Sequence, residues 1–272
     1  MSKVQAIADP SYVNNQYRTA SNLNARIRLH QEFSTNKYGW QRWVFDQFKF
    51  TPQSRILELG CGPGNLWLDN LDRIPATLEI ILSDFSAGML KQAQQNLRNS
   101  LSLFQFNMID AQSIPFDNAS FDIVIANMML YHVPDRTKAL SEIKRVLKPA
   151  GRFYASTGGC NHLKEVSDLV SRFDSQLASW ANLTSDTFSL ENGAAQLGNY
   201  FANVSLFRYA DSLLVTDANL FIDYILSGRI ELSADQQLDL AKFVEQTLKA
   251  NDGKFHITKD TGIFESNNIL QP

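Results

Sequence analysis

The stretch Ile56-Leu57-Glu58-Leu59-Gly60-Cys61-Gly62-Pro63-Gly64-Asn65 decides the architecture. A short apolar run of strand length enters three glycines at alternate positions, and a helical pattern of Leu66, Trp67 and Leu71 follows. Glycines let the backbone take positive φ and remove the Cβ atoms that would block a ligand's approach. In open parallel sheets, ligands bind in the crevice beyond the carboxyl ends of the strands. A dinucleotide loop reads G-x-G-x-x-G and aims a helix N-terminus at a pyrophosphate. Counted from Gly60, its third glycine would fall where Asn65 stands, and the glycine is instead Gly64. The loop therefore reads as a site for a nucleoside without a pyrophosphate, which disfavours a nicotinamide-dependent oxidoreductase.

Outward from the loop, apolar runs recur over 78–82, 101–106, 121–126 and 152–156. Several are too uniformly apolar for a strand with one wet face. The clearest helical pattern between them spans 135–147, with Asp135 as cap and Ala139, Leu140, Ile143, Val146 and Leu147 in one stripe. Lys148-Pro149 and Gly151 are expected to end it. Strands alternating with helices predict a parallel sheet covered on both faces. On the N-terminal side, 21–50 carries two helical patterns: Ser21 as a cap with Leu23, Ile27 and His30, then Trp40, Val44 and Phe48 up to Thr51-Pro52. These aromatics are expected to pack the arm onto the body. Beyond Gly159, Val166, Leu169, Val170, Phe173, Leu177 and Trp180 keep a helical period. Strands are expected over 204–210 and over 254–258 continuing at 263–264, with helices over 217–227 and 234–248 between them. The second of these helices opens with the capping pair Ser233 and Gln236. That order predicts an antiparallel edge with an inserted helical cap. The chain divides into an arm (1–53), a core (54–160) and a completion of the sheet with its cap (161–272), all within one structural domain.

Composition sets outer bounds. The 272 residues are 44% hydrophobic, and Lys+Arg 25 against Asp+Glu 28 gives a net charge of −3, so no basic excess exists to hold nucleic acid through its phosphates. Two cysteines make neither a disulfide framework nor a zinc site by themselves. No run of about 18 apolar residues occurs, and residues 1–10 lack the apolar core of a signal peptide. A cytoplasmic protein off the membrane is expected, and a homodimer stays open.

Polar residues follow three successive strands. Asp84 ends 80–84, where its carboxylate can accept both hydroxyls of a ribose. Phe85 can lie against an adenine ring, and Asp110 can accept from the adenine amino group with the Ala111 N–H beside it as a donor. Asn127 ends the fourth strand in Ile125-Ala126-Asn127-Met128-Met129-Leu130-Tyr131-His132. A ligand stretched along the sheet edge requires such a series.

Across roughly residues 55–156 the chain resembles the class I S-adenosylmethionine-dependent methyltransferases, in the broad group that includes quinone-biosynthesis-like enzymes. The resemblance rests on Glu58 to Gly64, on Ser83-Asp-Phe-Ser-Ala-Gly-Met-Leu90, on Asp110-Ala-Gln-Ser-Ile-Pro-Phe116 leading to Ser120-Phe-Asp122, on Tyr131-His-Val-Pro-Asp135, and on Leu147-Lys-Pro-Ala-Gly151. Ala150 stands where a second glycine is frequent, and Met128 where a polar residue often does. The resemblance implies a Rossmann-like, doubly wound, mostly parallel α/β sheet of seven strands with a C-terminal antiparallel edge. It implies S-adenosylmethionine as cofactor and S-adenosylhomocysteine as product. Glu58, Gly60, Cys61 and Gly62 would then surround the methionine part; Asp84 would take the ribose, and Phe85, Asp110 and Ala111 the adenine. Asn127 would line the sulfonium end, and Asn65 and Met89 complete the cofactor set.

The remaining polar residues carry weaker signals. Cys61 reads as a small loop-filling residue and Cys160 as a solvent-facing loop residue, and no metal site is expected. His132 is the candidate general base, because histidine titrates near neutral pH. Tyr17, His132 and His162 are the candidate substrate contacts, and Tyr12 and Arg26 belong with Tyr17 to the arm that can close over the cofactor. No Asn-Pro-Pro-Tyr-like segment follows the fourth strand and no Pro-Cys pair exists, which opposes methylation of DNA bases. The expected activity is methyl transfer to a small or medium-sized organic acceptor by in-line displacement. The competing reading is a noncatalytic cofactor-binding module that engages a protein partner through its helical cap.

Overall fold

The computed structural model describes residues 21–175, 177, 187–228 and 232–268. Tyr12, Tyr17 and Trp180 lie outside these residues. In chain order the elements that matter are α1 (Ser21–Phe33), α2 (Trp40–Asp46), β1 (Arg55–Leu59), α3 (Asn65–Leu68), β2 (Glu79–Asp84), α4 (Ala87–Asn96), β3 (Phe104–Met108), β4 (Phe121–Asn127), α5 (Arg136–Val146), β5 (Leu147–Gly158), α6 (Lys164–Phe173), α7 (Gly193–Gly198), β6 (Asn203–Val215), α8 (Ala218–Leu226), α9 (Ala234–Ala250) and β7 (Phe255–Asn267).

The uniformly apolar runs are central strands because both of their faces are covered. Ile56, Leu57, Leu59, Ile80, Ile81, Leu82, Ile123, Val124, Ile125 and Ala126 are all buried. Seven strands form one sheet in the order β3-β2-β1-β4-β5-β7-β6. β1 pairs in parallel with both β2 and β4, so the chain reverses its direction of winding between β1 and β4. β7 runs antiparallel between β5 and β6. One face packs α5 and its neighbours around Phe121, Phe153 and Phe264. The other packs α2, α3 and α4 around Trp67, Phe45, Phe48 and Tyr154, with the arm aromatics docked on the body as expected.

Several boundaries differ from the expectations, each for a stated cause. Leu101 and Leu103 belong to a 3-10 segment (Arg98–Leu103) and are 44% and 36% exposed; β3 starts only where Phe104 can bury. Lys148-Pro149 ends α5 but lies inside β5, which starts at Leu147. Leu147 pairs with Phe121, a register shift follows, and Arg152 pairs with Ile123; proline without an N–H is tolerated at such an irregularity. β6 and β7 each run 13 residues because each is the other's partner over the whole length, from Asn203↔Asn267 to Val215↔Phe255. The helix after the glycine loop has only 4 residues. The Asn70 amide donates to the Leu66 carbonyl at 2.7 Å and to the Gln41 carbonyl at 3.2 Å, which ties its end to the arm.

The helices between β6 and β7 form a cap. Asp217 caps α8, and a reciprocal Ser233–Gln236 capping box opens α9. Their apolar stripes (Phe221, Tyr224, Ile225, Leu240, Val244, Leu248) close on Val166, Leu169 and Val170 of α6 and on Leu29 of α1. The arm therefore bridges the cap and the carboxyl ends of the parallel strands. No helix among the described residues is long and apolar enough to cross a membrane.

Candidate functional site

The loop after β1 is held by its neighbours rather than by its own side chains. Ser83 Oγ donates to the Glu58 carbonyl at 2.7 Å, and the Cys61 N–H donates to the Ser83 carbonyl at 2.8 Å. Gly60 has φ +67°, and an added Cβ would stand 2.8 Å from Met129 Cβ, so the chain passes too close there for any side chain. Gly62 (φ +54°) has room for a Cβ, which would make only ordinary contact with Leu23 Cδ2 at 3.8 Å, and its positive φ is what favours glycine there. The Gly62 N–H donates to Asp84 Oδ2 at 2.9 Å, and the Ser86 N–H to Asp84 Oδ1 at 2.8 Å. The carboxylate keeps acceptor capacity for a ligand. Burial pushes the Asp84 carboxyl upward, against the backbone N–H groups of Ser86, Gly62 and Phe85, which pull it down.

Glu58 lies under the loop, 1% exposed, and its Oε2 accepts the indole N–H of Trp67 at 2.7 Å. Burial pushes its pKa up to about 8; the indole bond opposes this and the nearby Asp84 adds to it. The Cys61 thiol is buried and raised well above its ordinary value by burial, with Glu58 and Asp84 adding to the effect, which favours its protonated form.

Asn127 is fixed from two sides. Ser156 Oγ donates to its Oδ1 at 2.6 Å, and its Nδ2 donates to Gln41 Oε1 at 3.3 Å. The same Ser156 hydroxyl accepts the N–H of Met128, which sits at φ +55° in the left-handed region. Ser156→Ala removes both bonds at a site of 0% exposure. The expected loss is about 1–3 kcal/mol, the scale for a buried group left unpaired, read from the chemical denaturation midpoint.

Glu58, Cys61, Gly62, Asp84 and Asn127 open onto one cavity of 680 Å³. The structure brings to its wall Glu58, Gly60, Cys61, Gly62, Asn65, Asp84, Phe85, Met89, Asp110, Ala111, Asn127, His132 and His162. Phe85 is 43% exposed, and Met89 is buried as the third residue of α4. The Asp110 carboxylate already accepts the backbone and side-chain N–H groups of Gln112, which shapes the turn that presents Ala111. His132 closes a 3-10 turn (Leu130–His132), its ring 4.5 Å from Tyr131. Cys160 is exposed, as expected. Arg26 lines the cavity but gives its guanidinium to Ser227, at 2.7 Å to the carbonyl. No cluster of metal-binding side chains occurs among the described residues.

Sequence reading missed several wall residues: Trp40 and Gln41 of α2, Tyr224 of α8, and Lys259 and Thr261 of β7. None belongs to a motif, and each arrives from an element distant along the chain.

Residues 57–155 match the model of a methyltransferase domain. The Geotalea daltonii ubiquinone/menaquinone biosynthesis C-methyltransferase UbiE is 35% identical over 115 residues, covering 42% of this chain and 49% of that protein. The chain thus spans about half the length of the curated relatives it matches. Phosphoethanolamine N-methyltransferase 2 of Haemonchus contortus, solved with S-adenosyl-L-methionine, superimposes with a TM-score of 0.59 at 17% identity, covering 99% of this chain and 60% of that one. The [4+2]-cyclase SpnF superimposes with a TM-score of 0.58 at 17% identity, covering 95% and 97%.

Proposed function

We propose that this chain, whose residues 57–155 are a class I S-adenosylmethionine-dependent methyltransferase domain, transfers a methyl group from S-adenosylmethionine to a small or medium-sized organic acceptor. The observation that carries the reading is Asp84, pinned by the Gly62 and Ser86 N–H groups at the glycine loop and lining the cavity. A ribose diol suits that carboxylate, and Gly62, which lines the cavity without a side chain, lets a ligand lie against the backbone. Phe85, Met89 and Ala111 offer the surface for an adenine ring, and Glu58, the Gly60–Gly62 backbone and Asn127 the opposite end. The cofactor, when bound, supplies a methyl group on a sulfonium, whose displacement needs little beyond positioning and exclusion of water. The clamp of Ser156 and Gln41 on Asn127 and the approach of Met129 to Gly60 supply that positioning. His132 is the wall residue suited to take a proton from an acceptor that must lose one.

Calorimetric titration with S-adenosylmethionine, S-adenosylhomocysteine and NAD tests the reading. Binding of the first two without the third is expected; binding of NAD alone overturns it. Product formed with any acceptor excludes the noncatalytic reading.

Glu58 makes a sharper expectation. Its folded pKa of about 8 lies above the ordinary 4.5, so the native state holds a proton that the unfolded chain has lost. Stability contributed by this group is therefore full below about 4.5 and falls as pH rises toward about 8. Glu58→Gln should flatten that decline. An ammonium group of the cofactor beside Glu58 would favour the carboxylate, so binding near pH 7 should release a proton. The binding enthalpy then depends on the buffer's ionisation enthalpy in the wild type and loses that dependence in Glu58→Gln; equal dependence in both assigns the proton elsewhere.

A further inference from the structure

A second polar wall of the cavity has no use in the cofactor reading. Lys259 and Thr261 are two apart on β7 and so share a face. Thr261 pairs with Gly158 of β5, and Lys259 with Asp211 of β6. The His162 ring packs over Gly158, where an added Cβ would meet its Cδ2 at 3.2 Å. His30 of α1 lies parallel to that ring, the centroids 6.3 Å apart and the planes 10° off. All four residues line the cavity.

This wall is short of partners. Thr261 is 4% exposed, and among the described residues its Oγ1 and the Nδ1 of His30 are buried with no hydrogen bond. Buried polar atoms are nearly always paired, so two orphans in residues that line one cavity are unmet polar groups beside it that a ligand can satisfy. His162 Nδ1 accepts the Asp260 N–H at 3.3 Å. Burial, reinforced by the Lys259 charge, holds His162 at about 3 and His30 well below its ordinary value, so both rings are neutral. A neutral His162 with Nδ1 accepting must carry its proton on Nε2, which makes it a donor. Asp211 orients the Lys259 ammonium and is itself occupied by the Ser34 hydroxyl and, at 2.9 Å, the Asn36 N–H. Three kinds of donor (a hydroxyl, an imidazole N–H and an ammonium) thus meet on one wall.

We propose that Lys259, Thr261, His162 and His30 form the acceptor subsite, and that it selects a molecule presenting an anionic oxygen on an apolar body. An anionic oxygen can accept from the Thr261 hydroxyl, the His162 Nε2–H and the Lys259 ammonium together, whereas an amine would have to lie against the Lys259 charge. Ile27 and Leu163 supply apolar wall for the body. The inference rests on the proposed methyl transfer only in calling the occupant the acceptor; the anion preference belongs to the wall itself.

The test titrates benzoate, benzamide and benzylamine, which share one body with three charges, into the full-length protein with and without S-adenosylhomocysteine. Benzoate is expected to bind at least about tenfold tighter than benzylamine, with benzamide between them. A 4-nitrophenolate arm tells a carboxylate from a phenolate or enolate preference, and either supports the subsite. Thr261→Val, which keeps the shape and removes the hydroxyl, should weaken benzoate about fivefold or more and leave S-adenosylhomocysteine affinity unchanged. The proposal is overturned if neither benzoate nor 4-nitrophenolate binds tighter than benzamide and benzylamine, or if a folded Thr261→Val keeps unaltered affinity for the preferred anion. If that variant fails to fold, the wild-type ligand series still decides. Anion preference without any S-adenosylhomocysteine binding would sink the cofactor reading and leave the subsite standing.

Discussion

Asp84→Ala is expected to weaken S-adenosylhomocysteine binding by about 100-fold or more. A hydrogen bond to a charged group contributes about 1.5–3 kcal/mol, so two to a ribose diol give at least about 3 kcal/mol, or roughly two orders of magnitude. A second effect adds to the first. The Gly62 and Ser86 N–H groups both end on this carboxylate, so its removal also releases the glycine loop from α4. Asp84→Asn keeps the shape and one acceptor oxygen, and should cost about tenfold. Calorimetry on both variants, with circular dichroism as the check on folding, reads the result. Unchanged affinity in a folded Asp84→Ala would remove Asp84 from the ribose site and with it the observation on which the function rests.

The largest loss of stability is expected at Trp67. Its side chain is fully buried, meets Phe45 and Phe104 edge to face, and hydrogen-bonds Glu58. Trp67→Ala should lose about 3–5 kcal/mol for the cavity and about 1–3 kcal/mol more for the carboxyl left without its donor. Trp67→Phe keeps most of the ring and should lose chiefly the second part. Urea denaturation of the two variants separates packing from hydrogen bonding. Equal losses would mean that the indole N–H, rather than its volume, dominates. A loss below about 1 kcal/mol in Trp67→Ala would contradict its place in the core.

Much of this was legible before any coordinates. β1, β2 and β4 are short apolar runs buried on both faces, a pattern that few alternatives produce. The caps at Asp135 and at the Ser233–Gln236 box lie within one turn of the helices they start, and they formed as read. Gly60, Gly62 and the polar residues at strand ends reached one cavity because each follows its strand closely. Where apolarity was the sole guide it misled: Leu101 and Leu103 look like strand but stay at the surface beside α4. Pro149 looked like a terminator but falls where β5 shifts register.

Local chemistry therefore determined the identity of the strands, the caps and the glycine loop, because strand burial, capping and positive φ depend on residues only a few positions apart. The tertiary structure alone decided what surrounds the loop. Asp84 became an anchor only when β2 ran beside β1, and Asn127 was oriented only when β5 brought Ser156 against β4. The donor-rich wall needed β7 to insert between β5 and β6 and α1 to cross the cap, which places His30 and His162 beside Lys259 and Thr261. Burial then set their protonation, since the cost of charge depends on how much water the folded chain excludes.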